Sequence, residues 1–262
     1  MAIHSTAIVD PGAELGAVTV GPYAVIGAGV VLQDGVTVGA HAVIDGHTHV
    51  GEGTEVGHHV VLGGAPQDQK HDASVATHLV IGRNNVFREF SSAHRGSSGG
   101  IGTTTIGDGN YFMANSHVAH DCTVGNGTMF ANSAAIAGHV QVHDGAILGG
   151  LCAVHQFSRV GRMAMIGGGA MCAQDVPPFT IAQGDRARLY GVNILGLKRN
   201  GMDTATVSRI KEAWRQIFVS DVPKKLALAR VEKAHGDVAE VAELIAFVRD
   251  SPRGVCRAAV RA

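Results

Sequence analysis

A six-residue spacing of apolar side chains limits what this chain can fold into more than any other feature. Aliphatic residues recur at Val20, Ile26, Leu32, Val38, Ile44, Val50, Val56 and Leu62. The register returns at Ile81 and Phe87. It then runs unbroken from Ile106 through Phe112, Val118, Val124, Phe130, Ile136, Val142, Leu148, Val154 and Val160 to Ile166. Ile3, Val9 and Leu15 begin the pattern, with one five-residue step from Leu15 to Val20. An α-helix repeats its faces every 3.6 residues and disfavours interior glycine, whereas this chain carries 36 glycines in 262 residues. Short strands joined by tight glycine or asparagine corners fit better, with every anchor pointing into one narrow core. Three such strands close a triangular coil of about 18 residues, so the spacing predicts a mainly-β chain wound as a parallel β-helix.

Two segments break the register. GGAPQDQKHDASVATH (63–78) and SAHRGSSGGIGTTT (92–105) are polar and rich in Gly and Ser, and are expected to leave the coil as loops. Loops ejected from a rigid solenoid commonly carry function. Beyond residue 176 the repeat stops at DVPPF, and from Asp203 the spacing turns helical. Ile210, Trp214, Ile217 and Phe218 form one stripe, and Val238, Val241, Leu244, Ile245 and Val248 another, with Asp203 or Thr204 as N-cap. The expected organisation is a β-helix over 1–186 and a helical domain over 187–262 that caps the last coil.

Composition removes several classes of function. The net charge is −1 and no Lys/Arg cluster is large enough to follow a phosphate backbone, which argues against a nucleic-acid partner. No apolar run approaches the ~18 residues of a membrane span, and the N-terminus lacks the pattern of a signal peptide. Cys122, Cys152, Cys172 and Cys256 show no paired spacing, which suits reduced thiols in a cytoplasmic protein.

Periodicity also places a candidate site. Residues 18 apart stack at about 4.8 Å, one coil above another. His120, Gly138 and Gln156 therefore share one edge of the prism, beside His139 and His155, with Asp121 next to His120 and His117 close by in HVAHD. A histidine next to a carboxylate can act as a general base, the carboxylate orienting the ring. Gly138 has no side chain, so its N–H can approach a developing oxyanion. No nucleophilic Ser or Cys shares this edge, which favours direct attack of an acceptor hydroxyl on an acyl thioester. Zinc needs three or four converging ligands, and HVAHD does not provide them at a suitable spacing; no metal is expected.

Beyond single repeats, the segments AHDCTVGNG, AGHVQV, AVHQF, AQDVPPF, IAQGDRA and GVNILGLKRNG together resemble the cytoplasmic UDP-N-acetylglucosamine O-acyltransferases that begin lipid A synthesis. The resemblance extends over nearly the whole chain, both loops included. It implies a left-handed coil and a homotrimer with sites between subunits. The implied reaction needs no cofactor: a 3-hydroxyacyl group passes from acyl carrier protein to the 3-hydroxyl of a UDP-amino sugar. It assigns the base to His120 and the oxyanion amide to Gly138. It places His117, His139, His155 and Gln156 around the acyl group and sugar. Gln67, Asp68 and Lys70 of the first loop, and Asn193 and Arg199 of the tail, are implied to hold the nucleotide. Some members carry Glu where this chain has Leu195 and a second Arg where it has Asn200, which leaves the details of nucleotide contact open. Gly168 corresponds to a position that limits acyl length. It lies 48 residues past His120, about 2.7 coils or about 13 Å along the axis, and on a different edge.

Three other functions fit parts of the pattern. The same scaffold could acylate a 3-amino sugar, although the N-acyltransferase one stage later in the pathway carries an extra N-terminal domain and here the repeat begins at Ile3. A zinc-dependent hydratase uses related repeats. A non-catalytic β-helical interaction protein would have no need of the His120–Gly138–Gln156 column.

Overall fold

The computed structural model describes residues 1–259, among which are 28 short strands and four helices. Most strands are two residues long: one side chain points out, the anchor points in, and the chain then turns. The inward residues from Val20 to Ile166 named above are no more than 3% exposed. Ile3, in the first described coil, is 39% exposed. The small residues four positions after many anchors (Ala24, Ala42, Cys122, Ala134, Ala146, Cys152, Ala164) are buried at the corners.

The strands form three sheets of 11, 9 and 8 strands, starting at Ala2–Ile3 (face 1), Ile8–Val9 (face 2) and Glu14–Leu15 (face 3). Neighbours run parallel throughout, except that Thr180–Gln183 pairs antiparallel with Arg188–Val192 at the last coil. On face 2, His117 aligns with Ala135, Ala135 with Ala153, and Ala153 with Met171. On face 1, Glu55 aligns with Val86 and Val86 with Tyr111, so the coil widens where the two loops leave and then resumes its even step.

Both loops are narrower than their composition suggests. Val61–Gly64 and His78–Ile81 are strands, so the first excursion spans 65–77. Ser92–His94 and Thr103–Ile106 are strands, so the second spans 95–102. Polar residues such as His78 and Thr103 break the side-chain pattern, but their backbones still pair across coils, and His78 aligns with both His47 and Thr103. At this level the interior is filled by Phe87, Phe112 and Phe130; the first two rings stack at 4.6 Å, and the third lies tilted 4.9 Å from Phe112.

The stretch after residue 187 begins as a strand of face 1, and its helices start at Ile194, earlier than the apolar spacing indicates. They are α1 (Ile194–Arg199), α2 (Thr204–Phe218), α3 (Lys224–His235) and α4 (Ala239–Arg249). Asp203 caps α2, accepting from the N–H groups of Ala205 and Thr206. Ile210, Ile217, Val241, Leu244, Ile245 and Val248 make a second core together with Phe179 of the coil. Buried Asp175 fastens this unit to the prism. Its carboxylate accepts from Arg159 N (2.9 Å), Arg159 Nε (2.9 Å) and Ser251 Oγ (2.8 Å), while the Arg159 guanidinium lies over the Phe247 ring.

Phe112 is fully enclosed, and a two-residue strand has little freedom to collapse into the space its ring would leave. Phe112→Ala is expected to lower stability by about 3–5 kcal/mol in chemical denaturation at fixed protein concentration. A loss below about 1 kcal/mol would mean that the phenylalanine stack does not support the prism at the level of the loops.

Candidate active site at the corner between faces 2 and 3

His117–Val118 on face 2 and Thr123–Val124 on face 3 are joined by the turn Ala119–Cys122. Asp121 takes the left-handed conformation there (φ 59°), as do His139 (φ 62°) and Phe157 (φ 62°) at the same corner of the next two coils. Thirteen of the described non-glycine residues do so, mostly at coil corners, so this conformation belongs to the fold and not to the site alone. His120, Gly138 and Gln156 precede these residues and form the column expected from spacing.

Gly138 is needed for shape. A Cβ there would lie 2.6 Å from His120 Cε1 and 2.7 Å from Nε2, so the imidazole occupies the place of the missing side chain. The Gly138 N–H has no hydrogen-bond partner among the described residues and remains available to a ligand.

Asp121 is gripped from below by the 95–102 loop. Its side chain is fully buried. Oδ1 accepts from Ser97 N–H (3.1 Å) and Gly102 N–H (3.0 Å), and Oδ2 accepts from Ser97 Oγ–H (2.6 Å) and from His120 Nδ1 (2.7 Å). A side chain at Gly100 would run into this carboxylate. Burial pushes the Asp121 pKa up, but the hydrogen bonds from the Ser97 hydroxyl, His120 and the Ser97 amide outweigh it and hold the carboxyl below its ordinary value. An ionised Asp121 makes Nδ1 of His120 the protonated nitrogen and leaves Nε2 as a free acceptor on a side chain only 14% exposed.

Other histidines surround this pair. His139 packs edge-on against His120, with ring centroids 5.2 Å apart, and its Nε2 lies 3.8 Å from Asp121 Oδ2. The other face of His139 stacks on Phe157 at 4.4 Å. His117 bonds to Ser92 Oγ through Nδ1 (2.9 Å), and the His94 ring meets it edge-on at 4.8 Å. Burial, then the neighbouring His117, His120 and Arg95, push the His94 pKa down to about 4; burial and then His120 lower that of His117. Both are therefore neutral near pH 7. His155 donates from Nδ1 to the Gln156 carbonyl (3.1 Å), which leaves its Nε2 free.

The remaining candidates lie elsewhere. Gln67 and Lys70 are exposed on the first loop, and Asp68 turns back to accept from Lys70 N–H (2.9 Å). That loop is tied to the second: Ser98 N–H donates to His71 Nδ1 and Asp72 N–H donates to Ser98 Oγ. Asn193 is buried as the N-cap of α1, its Oδ1 accepting from Gly196 N–H and its Nδ2 donating to the Met163 carbonyl. Within one chain both polar ends of its side chain are thus engaged. Arg199 is exposed in the last turn of α1. Gly168 is exposed at the corner between faces 1 and 2, a different edge from His120.

Spacing did not single out Ser97, Gly102, Ser92 or His94. The 95–102 loop was legible as an excursion, but which of its small residues reaches Asp121 depends on how the loop folds back. The ligand spacing is also corrected. His120, Asp121 and His139 bring ligand atoms within 4.8 Å of one another, a convergence that HVAHD alone does not reveal because His139 comes from the next coil. Two ligands on one tetrahedral zinc, at bonds of about 2.1 Å, lie about 3.4 Å apart. His120 Nδ1 and Asp121 Oδ2 are 2.7 Å apart, the separation of a direct hydrogen bond.

Above His120, face 2 carries a cleft of about 420 Å³ floored by Ala137, Ala153, Val154 and Met171, with His155 on its wall and Asp185 and Arg186 at its rim. The small outward alanines of successive coils make this groove.

Comparison with known proteins agrees with this architecture. Residues 103–138 match the bacterial transferase hexapeptide (six repeats) model, and residues 175–256 match the model for domain 2 of UDP-N-acetylglucosamine O-acyltransferase. Acyl-[acyl-carrier-protein]–UDP-N-acetylglucosamine O-acyltransferase of Anaeromyxobacter dehalogenans is 46% identical over 98% of this chain and 100% of its own. The enzyme of the same name from Myxococcus xanthus is 48% identical over 74% of this chain and 75% of its own. Among solved structures, LpxA from Acinetobacter baumannii superimposes with a TM-score of 0.93 at 38% identity over 97% of this chain and 99% of its own. UDP-N-acetylglucosamine acyltransferase from Campylobacter jejuni does so with a TM-score of 0.91 at 32% identity, over 98% and 100%. Superposition this complete requires coils of the same hand, and the prism is a left-handed parallel β-helix. By repeat, site corner and full-length identity, the chain belongs to the family of acyl-[acyl-carrier-protein]–UDP-N-acetylglucosamine O-acyltransferases.

Proposed function

We propose that this protein transfers an acyl group from acyl carrier protein to UDP-N-acetylglucosamine, the first step of lipid A synthesis, with His120 as general base. The observation that carries the reading is the His120–Asp121 hydrogen bond of 2.7 Å beside a side-chain-free Gly138. Nε2 takes the proton from the sugar 3-hydroxyl as that oxygen bonds to the thioester carbon. The carbonyl oxygen gathers negative charge, and the unpaired Gly138 N–H supports it. When the tetrahedral intermediate collapses, the carbon–sulfur bond breaks and the imidazolium returns its proton to the leaving thiolate. Asp121 stays ionised throughout and stabilises the imidazolium. The protein supplies every group this sequence needs, so we assign no metal or cofactor.

The apolar groove above His120 suits a long 3-hydroxyacyl chain. Of the residues we assign to the surroundings of the acyl group and sugar (His117, His139, His155 and Gln156), His155 lines this groove. We assign nucleotide contacts to Gln67, Asp68, Lys70, Asn193 and Arg199, the lysine and arginine facing phosphate. The first loop is tied through Ser98 to the loop that grips Asp121, whereas Asn193 and Arg199 belong to α1 beyond the last coil, and we infer a homotrimer in which neighbouring subunits complete each site. Face 1 supports this: Tyr111, Met129, Ile147, Met165 and Ile181 form an outward apolar column, whereas the lower coils carry Thr19, Thr37 and Glu55 there. Among the described residues no helix is long and apolar enough to cross a membrane. We place the reaction in the cytoplasm, where acyl carrier protein and the sugar nucleotide are found.

His120→Ala is expected to lower kcat by roughly 10²–10⁴-fold in an assay with 3-hydroxyacyl carrier protein and UDP-N-acetylglucosamine, with nucleotide affinity nearly unchanged. Gly138→Ala should reduce kcat as well, by pushing the imidazole aside. Turnover of His120→Ala near wild type would remove the base from this account.

Gly168 sits at an open corner, and a Cβ there meets only the Gly150 carbonyl oxygen, at 3.3 Å. Gly168→Met should therefore fold, and should cut activity on long donors while sparing short ones. Equal losses across donors of graded length would show that the glycine serves only the corner.

A further inference from the structure

The 95–102 loop reaches Asp121 with three donors, and one of them is a side chain. Ser97 Oγ–H lies 2.6 Å from Oδ2, the oxygen that also accepts from His120 Nδ1. Ser97 is itself 1% exposed, so water does not compete for this bond. Ser97 N–H and Gly102 N–H hold the other oxygen. The backbone donors would survive any side-chain change at position 97, but the hydroxyl bond would not.

We propose that Ser97 is a positioning residue for the base: its hydroxyl fixes Asp121 Oδ2 in the orientation that meets His120 Nδ1, and so aims Nε2 at the acceptor hydroxyl. The inference rests on the reading of His120 as base. Its physical basis is that a buried carboxylate with two oxygens can rotate about its last bond, and the ring it supports would turn with it. Donors on both oxygens remove that freedom. The protein can place them there because Gly100 lets the loop pass close beneath the carboxylate.

The groups facing Asp121 are His120, His139 and the Cys122 thiol. Burial pushes the Cys122 thiol up to about 12, so it stays protonated. Of the contacts that lower the Asp121 pKa, the Ser97 hydroxyl bond is the largest. Removing it raises the pH at which the carboxylate protonates. In the folded protein the pKa is depressed, so the support it gives is present at neutral pH and lost as pH falls. His120 and Asp121, 2.7 Å apart, titrate as one hydrogen-bonded pair, so a carboxylate that binds its proton more readily moves the acid limb of kcat upward.

Neighbouring Ser98 supplies a control. Its hydroxyl accepts from Asp72 N–H and ties the two loops together without touching Asp121. Ser97→Ala, Ser97→Thr and Ser98→Ala would be compared for kcat, KM for UDP-N-acetylglucosamine and the pH profile of kcat, with thermal melting to establish folding. Ser97→Ala is expected to lose about tenfold in kcat, the size of one charge-assisted hydrogen bond, with KM within about twofold and the acid limb shifted upward. Ser97→Thr restores the hydroxyl and with it the acid limb. Ser98→Ala leaves the acid limb in place. A folded Ser97→Ala with wild-type kcat and acid limb would overturn the proposal, as would a fall in kcat with the limb unmoved. Activity retained by His120→Ala would instead sink the reading on which it rests.

Discussion

Parallel hydrogen bonding between successive coils sets every distance at the site. Each short strand is held by the strand one coil below and one above, which fixes the step along the axis at about 4.8 Å and keeps equivalent residues in columns. His120 and Gly138 touch because this ladder leaves no other arrangement, and Gly138 has the only side chain, a hydrogen, that the ring tolerates. Asp121 and His139 occupy the next column for the same reason. The site thus sits on coils whose strands are paired both above and below. Reacting groups held within a fraction of an ångström are what general-base transfer between two bound substrates requires.

The loops bring what the ladder cannot. A repeating coil offers every corner the same backbone, so a corner becomes a site only through groups from outside the repeat. The 95–102 loop supplies Ser97 and Gly102 to Asp121, and by removing water it makes those bonds count for more than they would at a surface. The 65–77 loop is fastened to it through Ser98 and carries Lys70. Arg159 and Asp175 do similar work at the far end, where they lock the helical unit against the last coil.

The inward-facing anchors, the three faces and the histidine column were legible because each depends on side-chain spacing, and spacing is what a regular coil preserves. Asp203 was legible as a cap because capping is local. The ends of both loops were not, since Gly64, His78 and Thr103 join strands through their backbones whatever their side chains. α1 is only six residues long, too short to show a periodic stripe. The grip on Asp121 was hidden for a different reason: the partners lie 19 to 24 positions away, across a loop with no period. Convergence of His139 on Asp121 was implied by the 18-residue step, but became visible only once the left-handed turn at each corner directed both side chains the same way.

The central claim is that an ionised, immobilised Asp121 makes His120 an effective base. Asp121→Asn tests it most directly, because the amide keeps the size of the carboxylate and removes its charge. Steady-state and single-turnover rates with 3-hydroxyacyl carrier protein and UDP-N-acetylglucosamine should fall by roughly 10²–10⁴-fold near neutral pH, with nucleotide binding by calorimetry unchanged. A folded Asp121→Asn protein whose turnover stays within about threefold of wild type would contradict the account.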